Sequence, residues 1–302
     1  MTGRALTWLL ATALLLTACG DSASDDPAAT DDEAPTIVVT TSVWADIVEH
    51  VTCDGLARVE TLIPDGGDPH QFELSLADRG RLDDAEVVVA NGLDLEASMN
   101  DALATVEADG GTVIRAGELT DPLPYATADD TVDPHIWFDP QRMSSLLPVL
   151  GTQIARATGI DPDVIGACVG SYRAELDAVD RAVEARVDEL APERRVLVTN
   201  HDSLGYFAER YGFEVVGTVL PSPSGLAEGN PATLEALADE MIALDVPAVF
   251  SEAQHGDDDA RALADRIGSV EVVELDTGGL GEDGTYLTLL DSTAVLVVDA
   301  LR

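Results

Sequence analysis

Twice along this chain, short β-branched runs alternate with amphipathic stretches, and that alternation most narrows the folds open to it. In the first half "TIVVTT" is followed by the helix-like "SVWADIVEHV", then by the strand-like "ARVETLI", "EVVVANG" and "TVIRAG" with helical stretches between them. Ser75, with Asp78 three residues on, opens the helix expected over "SLADRGRLDDA". In the second half "RRVLVTN", "FEVVGTV", "VPAVFSE" and "VEVVELD" alternate with four helical segments, one ending at Gly212 and one opening near Pro231. Apolar strands separated by helices imply parallel βαβ units, and so an α/β fold.

Between the halves the pattern changes. Leu176, Val179, Val183, Val187 and Leu190 recur at spacings of three and four, which marks one face of a long helix ended by Pro192. The expected organisation is an α/β lobe over 36–166, a spanning helix over 167–190 and a second α/β lobe over 191–302. In open α/β sheets, ligands bind beyond the carboxyl ends of the strands, here in the cleft between the lobes.

The first residues speak to destination. Arg4 precedes an apolar run from Ala5 to Leu16, too short to span a bilayer comfortably, and the run ends in Leu16-Thr17-Ala18-Cys19. That ending resembles the bacterial lipobox, so 1–18 reads as an export signal and Cys19 as the lipidated residue. Residues 19–35, small and acidic, read as a flexible tether. Export leaves Cys53 and Cys168 where a disulfide can form, closing a long loop worth several kcal/mol. Two free thiols or two thiolate ligands are the alternatives. The net charge of −41, with only 16 basic residues against 57 acidic ones, leaves no basic patch for nucleic acid and favours cations.

Of five histidines, two sit in matching stretches: His70 in "GGDPHQFELS" and His135 in "TVDPHIWFDP". Proline fixes φ just before each ring, so both imidazoles start from a stiffened backbone. His201 follows "RRVLVTN" directly, and Asp276 ends "VEVVEL". These four, two from each half, are the expected ligands of one divalent metal ion, since imidazole with one carboxylate suits Zn²⁺. Asp68, Asp139, Asp202 and Glu252 are candidates to accept the second ring N–H of a ligand. Asp276 heads a loop with Gly278, Gly279 and Gly281, which marks it as the mobile ligand; on that reading alanine at 278 or 279 slows metal exchange.

These motifs, in order over nearly the whole exported chain, resemble the zinc and manganese binding proteins of bacterial ABC importers. "GGDPHQFELSLADRGRLDDAEVVVANGLDLE", "DPHIWFDPQRM", "VTNHDSLGYFAERYGFEVVG" and "VELDTGGL" carry the likeness. The resemblance implies two lobes on a rigid spanning helix with limited hinge motion. It also implies metal held by His70, His135, His201 and Asp276, and partners in an ABC permease and its ATPase. The expected protein is a monomeric, lipid-anchored receptor outside the cell and not an enzyme. Manganese-preferring members often carry a carboxylate at the third ligand position, so His201 favours Zn²⁺ over Mn²⁺. Two departures stand out. The stretch before His135, "TDPLPYATADDTV", is acidic and lacks a histidine-rich loop, and "PSPSGLAEGNPATLE" is looser than the family's usual helix opening. The rival reading, an extracellular metallohydrolase, lacks a His-Glu-x-x-His helix motif.

Overall fold

A computed structural model describes residues 34–220, 231–254, 256–281 and 284–302. The export signal, Cys19, nearly all of the tether, residues 221–230 and His255 lie outside the described residues.

In the first lobe β1 (Thr36–Val39), α1 (Ser42–Val51), β2 (Arg58–Thr61), α2 (Leu76–Asp84), β3 (Val87–Ala90), α3 (Asn100–Ala108) and β4 (Val113–Arg115) follow in turn. Their strands form a parallel sheet in the order β2-β1-β3-β4. A capping box between Ser75 and Asp78 starts α2. A short antiparallel hairpin, β5 (Pro124–Tyr125) and β6 (Ala128–Val132), leads to His135.

The second lobe holds β7 (Val196–Thr199), α6 (Gly205–Tyr211), β8 (Glu214–Thr218), α7 (Pro231–Leu244), β9 (Ala248–Glu252), α8 (Asp258–Ile267), β10 (Glu271–Leu275) and α9 (Tyr286–Leu301). Its parallel sheet has the order β10-β9-β7-β8. In each sheet the chain leaves the first strand to one side and later returns to the other. The carboxyl ends of β1 and β7 are therefore switch points, and His201 stands two residues beyond β7.

Two helices join the lobes. The first, α4 (Pro140–Thr158), is capped by Asp139 and stops at Gly159, whose φ of 74° ends it in the left-handed region. The second, α5 (Pro162–Val187), is 26 residues and about 39 Å long. It begins before the expected residue 167 because Asp161 caps the backbone N–H of Asp163 and Pro162 fits the first turn. It ends at Val187, short of residue 190, and Pro192 opens a separate 3₁₀ turn.

Ile165, Val169, Tyr172, Leu176, Val183 and Val187 of α5 are buried in one apolar cluster that takes in Ile37 and Val39 of the first lobe and Leu197 and Phe250 of the second. Carboxylates fasten the junction as well. Asp46 on α1 accepts from the Tyr172 hydroxyl and the Tyr286 backbone N–H, linking α1, α5 and α9. Asp180 on α5 accepts from Arg210 and Tyr211 of α6 and from Gln141 of α4. A Cys53–Cys168 disulfide, with Cα atoms 5.6 Å apart, joins the segment after α1 to α5. Among the described residues, no helix is long and apolar enough to cross a membrane.

Candidate metal centre

The repeated Asp-Pro-His stretches are two copies of one turn. Asp68 Oδ1 accepts the backbone N–H of His70 at 2.8 Å, and Asp133 Oδ1 accepts that of His135 at 2.9 Å. An aspartate that bonds the N–H two residues on closes an Asx-type turn, and proline between them removes a competing donor and fixes φ. Each histidine thus leaves a locked turn. A 3₁₀ turn, Ile136–Phe138, then buries Trp137 and Phe138 behind His135.

The structure brings three of the four expected ligands together. The Nε2 atoms of His70 and His135 are 3.2 Å apart, and those of His201 and His135 are also 3.2 Å apart. A tetrahedral ion with Zn–N bonds of 2.0–2.1 Å would space its ligand nitrogens by about 3.3 Å. The three rings stand edge to face, with centroids 5.1–5.6 Å apart. The cavity at this point, also lined by Asp68, Trp137, Glu252 and Thr277, measures about 10 Å³, the scale of one water or one ion.

Carboxylates orient two of the rings from behind. Asp133 Oδ1 lies 2.7 Å from His135 Nδ1, and Glu252 Oε1 lies 2.6 Å from His201 Nδ1. A carboxylate at Nδ1 holds the proton there and leaves the Nε2 lone pair for a cation. Glu252 is itself held, by the Ser203 hydroxyl on Oε1 and the Thr277 hydroxyl on Oε2. Burial and the neighbouring rings push His70 and His135 down to about 3, so both are neutral at pH 7. Burial pushes the Asp133 carboxyl up, with Asp202 adding to it. Asp133 Oδ2 and Asp202 Oδ1 are buried without a hydrogen-bond partner. Neutral imidazoles backed by buried carboxylates fit a dication.

The remaining candidates divide by position. Asp68 lines the cavity and holds its turn. Asp202 accepts the N–H and hydroxyl of Thr127, tying the His201 loop to the hairpin. Asp139 caps α4 and pairs with Arg142, and the hydrogen bonds it accepts come from Gln141 and Arg142 rather than from a histidine. Asp276 is exposed just beyond β10 and is not brought to the three histidines. Burial, with Asp65 and Glu274 nearby, raises its pKa. Sequence reasoning missed Asp133 as the partner of His135. The signal was present, since Asp133 holds the same place in its tripeptide as Asp68.

The loop after Asp276 closes over the cavity as a strap, residues 277–281. The Thr277 carbonyl accepts from Trp137 Nε1 at 3.1 Å, and the Leu280 N–H donates to Asp65 Oδ1 at 2.8 Å. The Ser42 hydroxyl donates to the same Asp65 oxygen. A Cβ on Gly279 would stand 2.6 Å from Asp65 Oδ1 and 3.1 Å from the Gly66 nitrogen. The glycine there permits close approach of the two lobes, a different role from the mobility expected of it.

A family model described as ZnuA, zinc-uptake complex component A, periplasmic, matches residues 37–300. The zinc-binding protein TroA of Treponema pallidum is 29% identical over 289 residues, covering 92% of each chain. The solved TroA structure aligns with a TM-score of 0.82 at 28% identity, over 89% of this chain and 99% of that one. The manganese-binding lipoprotein MntA of Halalkalibacterium halodurans is 26% identical over 298 residues, 97% of this chain and 96% of its own. With nearly all of both lobes matched by one family model, the chain belongs to the family of periplasmic zinc-uptake component A proteins.

Proposed function

We propose that this chain is an extracytoplasmic receptor that captures one divalent transition ion, zinc in preference to manganese, and delivers it to an ABC permease driven by its ATPase. The observation that carries the reading is the triangle of His70, His135 and His201 Nε2 atoms at tetrahedral spacing. All-nitrogen contact from three imidazoles suits Zn²⁺, whereas Mn²⁺ is better served by oxygen. The family name, the zinc-binding TroA and the manganese-binding MntA support a metal of this class. Asp276 completes a four-ligand site only when the strap behind it turns inward. The lipobox-like ending at Cys19 supports a lipid anchor, with the protein acting as a monomer at the outer face of the membrane.

A metallohydrolase needs room for an organic substrate and a base facing the metal. The cavity is ion-sized, and Glu252 faces the far nitrogen of His201. The test is calorimetric titration of chelator-stripped protein with Zn²⁺ and Mn²⁺, beside His201→Ala and Asp276→Ala. One tight zinc site, weak for manganese and lost in His201→Ala, is expected. Tight manganese binding overturns the metal preference, and no tight site for either ion overturns the receptor. Unchanged affinity in Asp276→Ala would leave a three-histidine site.

A further inference from the structure

Two buried residues of the first lobe, Asn91 and Glu96, lie in the "ANGLDLE" stretch, to which no role in holding metal has been attached. Asn91 follows β3, and its side-chain nitrogen donates to the Pro134 carbonyl at 3.0 Å and to the Gly92 carbonyl at 3.1 Å. Its side-chain oxygen accepts from Trp44 Nε1 at 3.1 Å. Glu96 in turn accepts the backbone N–H groups of Asn91 and Gly92, at 2.8 and 3.1 Å, and the Thr40 hydroxyl at 2.5 Å. The carboxylate therefore sets the turn that aims the Asn91 amide.

Pro134 is the middle of the second Asp-Pro-His stretch, and its carbonyl shares one planar peptide with the His135 nitrogen. Asn91 grips the oxygen side of that peptide while Asp133 grips the hydrogen side at 2.9 Å. The Ile136 N–H reaches the same oxygen at 2.8 Å but moves with the local turn, so Asn91 is the hold that comes from another element, and Asp133 at Nδ1 then fixes the ring. We propose that Asn91, set by Glu96, is a positioning residue of the metal centre that fixes where His135 Nε2 stands between His70 and His201. His135 is the shared member of both 3.2 Å contacts, so its displacement opens the triangle on two sides. This inference rests on reading the three histidines as a metal site.

Asn91→Asp keeps shape and the acceptor for Trp44 but replaces the donor to Pro134. Glu96→Gln keeps shape and loosens the turn. Leu103→Ala, at a side chain buried in an apolar cluster of the first lobe and bonded to no member of the clamp, is the stability control. Each full-length variant is loaded with Co²⁺, whose visible absorption reports coordination geometry, and its Zn²⁺ off-rate is measured against a competing chelator, beside a thermal melt. Asn91→Asp and Glu96→Gln are expected to shift the Co²⁺ spectrum and raise the Zn²⁺ off-rate tenfold or more. Leu103→Ala is expected to lower the melting temperature with spectrum and off-rate unchanged.

A melting loss in the first two variants with wild-type spectrum and off-rate overturns the clamp and leaves the receptor standing. If Asn91→Asp does not fold, Glu96→Gln decides by the same two outcomes. Wild-type protein that takes up neither Co²⁺ nor Zn²⁺ overturns the receptor reading and the clamp with it.

Discussion

Replacing Gly279 by alanine tests whether the strap works by close approach or by flexibility. The added Cβ would sit 2.6 Å from Asp65 Oδ1, about 0.8 Å inside the 3.4 Å at which ordinary contact begins. Asp65 must retreat, and its bond from the Leu280 N–H goes with it. Asp65 is exposed, so that bond is worth about 1 kcal/mol, and residual overlap adds about another. A closed form weakened by about 2 kcal/mol gives a roughly thirtyfold faster Zn²⁺ off-rate if the strap retains the ion. The assay is stopped-flow mixing of zinc-loaded protein with excess chromophoric chelator. Gly166→Ala, where a Cβ meets nothing within 4 Å, is the control. This is the opposite sign to the expectation from loop flexibility, in which alanine slows exchange. An off-rate within twofold of wild type, or slower, would refute the close-approach argument.

Three further outcomes follow from the site and its frame. Asp133→Asn removes the carboxylate behind His135 with little change of shape, and a 10–100-fold loss of zinc affinity by competition titration is expected, roughly the effect of losing such a partner. Replacing Cys53 and Cys168 together by serine removes a cross-link spanning 115 residues and lowers stability by about 4–5 kcal/mol in urea melts. Zinc affinity should stay within threefold, because the ten residues of α1 put its far end, which Cys53 follows, about 15 Å from the strand ends that face the site. For pH, the folded values of about 3 for His70 and His135 lie below the unfolded value of about 6.5. The unfolded chain therefore takes up protons first, so their contribution is whole above about pH 6.5 and declines toward pH 3, by up to about 1.4 kcal/mol per unit for each ring. The metal-free protein should melt lower at pH 5 than at pH 7.5, with a smaller drop in the His70→Asn, His135→Asn variant. An equal drop in both would assign the effect elsewhere.

What the sequence made legible follows from how local each signal is. Strands such as Val87–Ala90 are wholly buried, so their apolar runs announce them without any knowledge of the partner strand. His70 and His135 were legible because the Asx turn around each Asp-Pro-His is written in three consecutive residues, and His201 because it directly follows an apolar strand run. The place of Asp276, exposed outside the histidine triangle, is not legible locally, since it depends on a strap whose course is set by contacts with Asp65 and Trp137, each more than 100 residues away. The helix α4 carried no clear signal, with Pro148 inside it and its cap shared with the Asp-Pro pair after Phe138. Asp133 was passed over in favour of Asp139, though only the former lies two residues before its histidine, where an Asx turn requires it.

Release of the ion has two conceivable routes, parting of the lobes or opening of the strap, and the energies separate them. The lobes share one apolar cluster through α5, and fully exposing a buried aliphatic side chain costs about 1.5–3 kcal/mol. Parting Val169, Leu176, Val183 and Val187 from their neighbours would cost about 6–12 kcal/mol, with the hydrogen bonds at Asp46 and Asp180 in addition. The strap is held by the Leu280 N–H on Asp65 and Trp137 Nε1 on the Thr277 carbonyl, about 1 kcal/mol each, and by the half-buried Leu280 side chain packed on the shared cluster, which adds less than the roughly 1.5–3 kcal/mol of a fully buried leucine. Withdrawal of Asp65, which stands exposed at the rim, would remove one of these two bonds. The strap is therefore the weaker hold, and of the three histidines His70, half-buried on the adjoining 65–70 loop, is the least enclosed. His135 and His201, each buried and backed by a carboxylate, stay where the frame holds them.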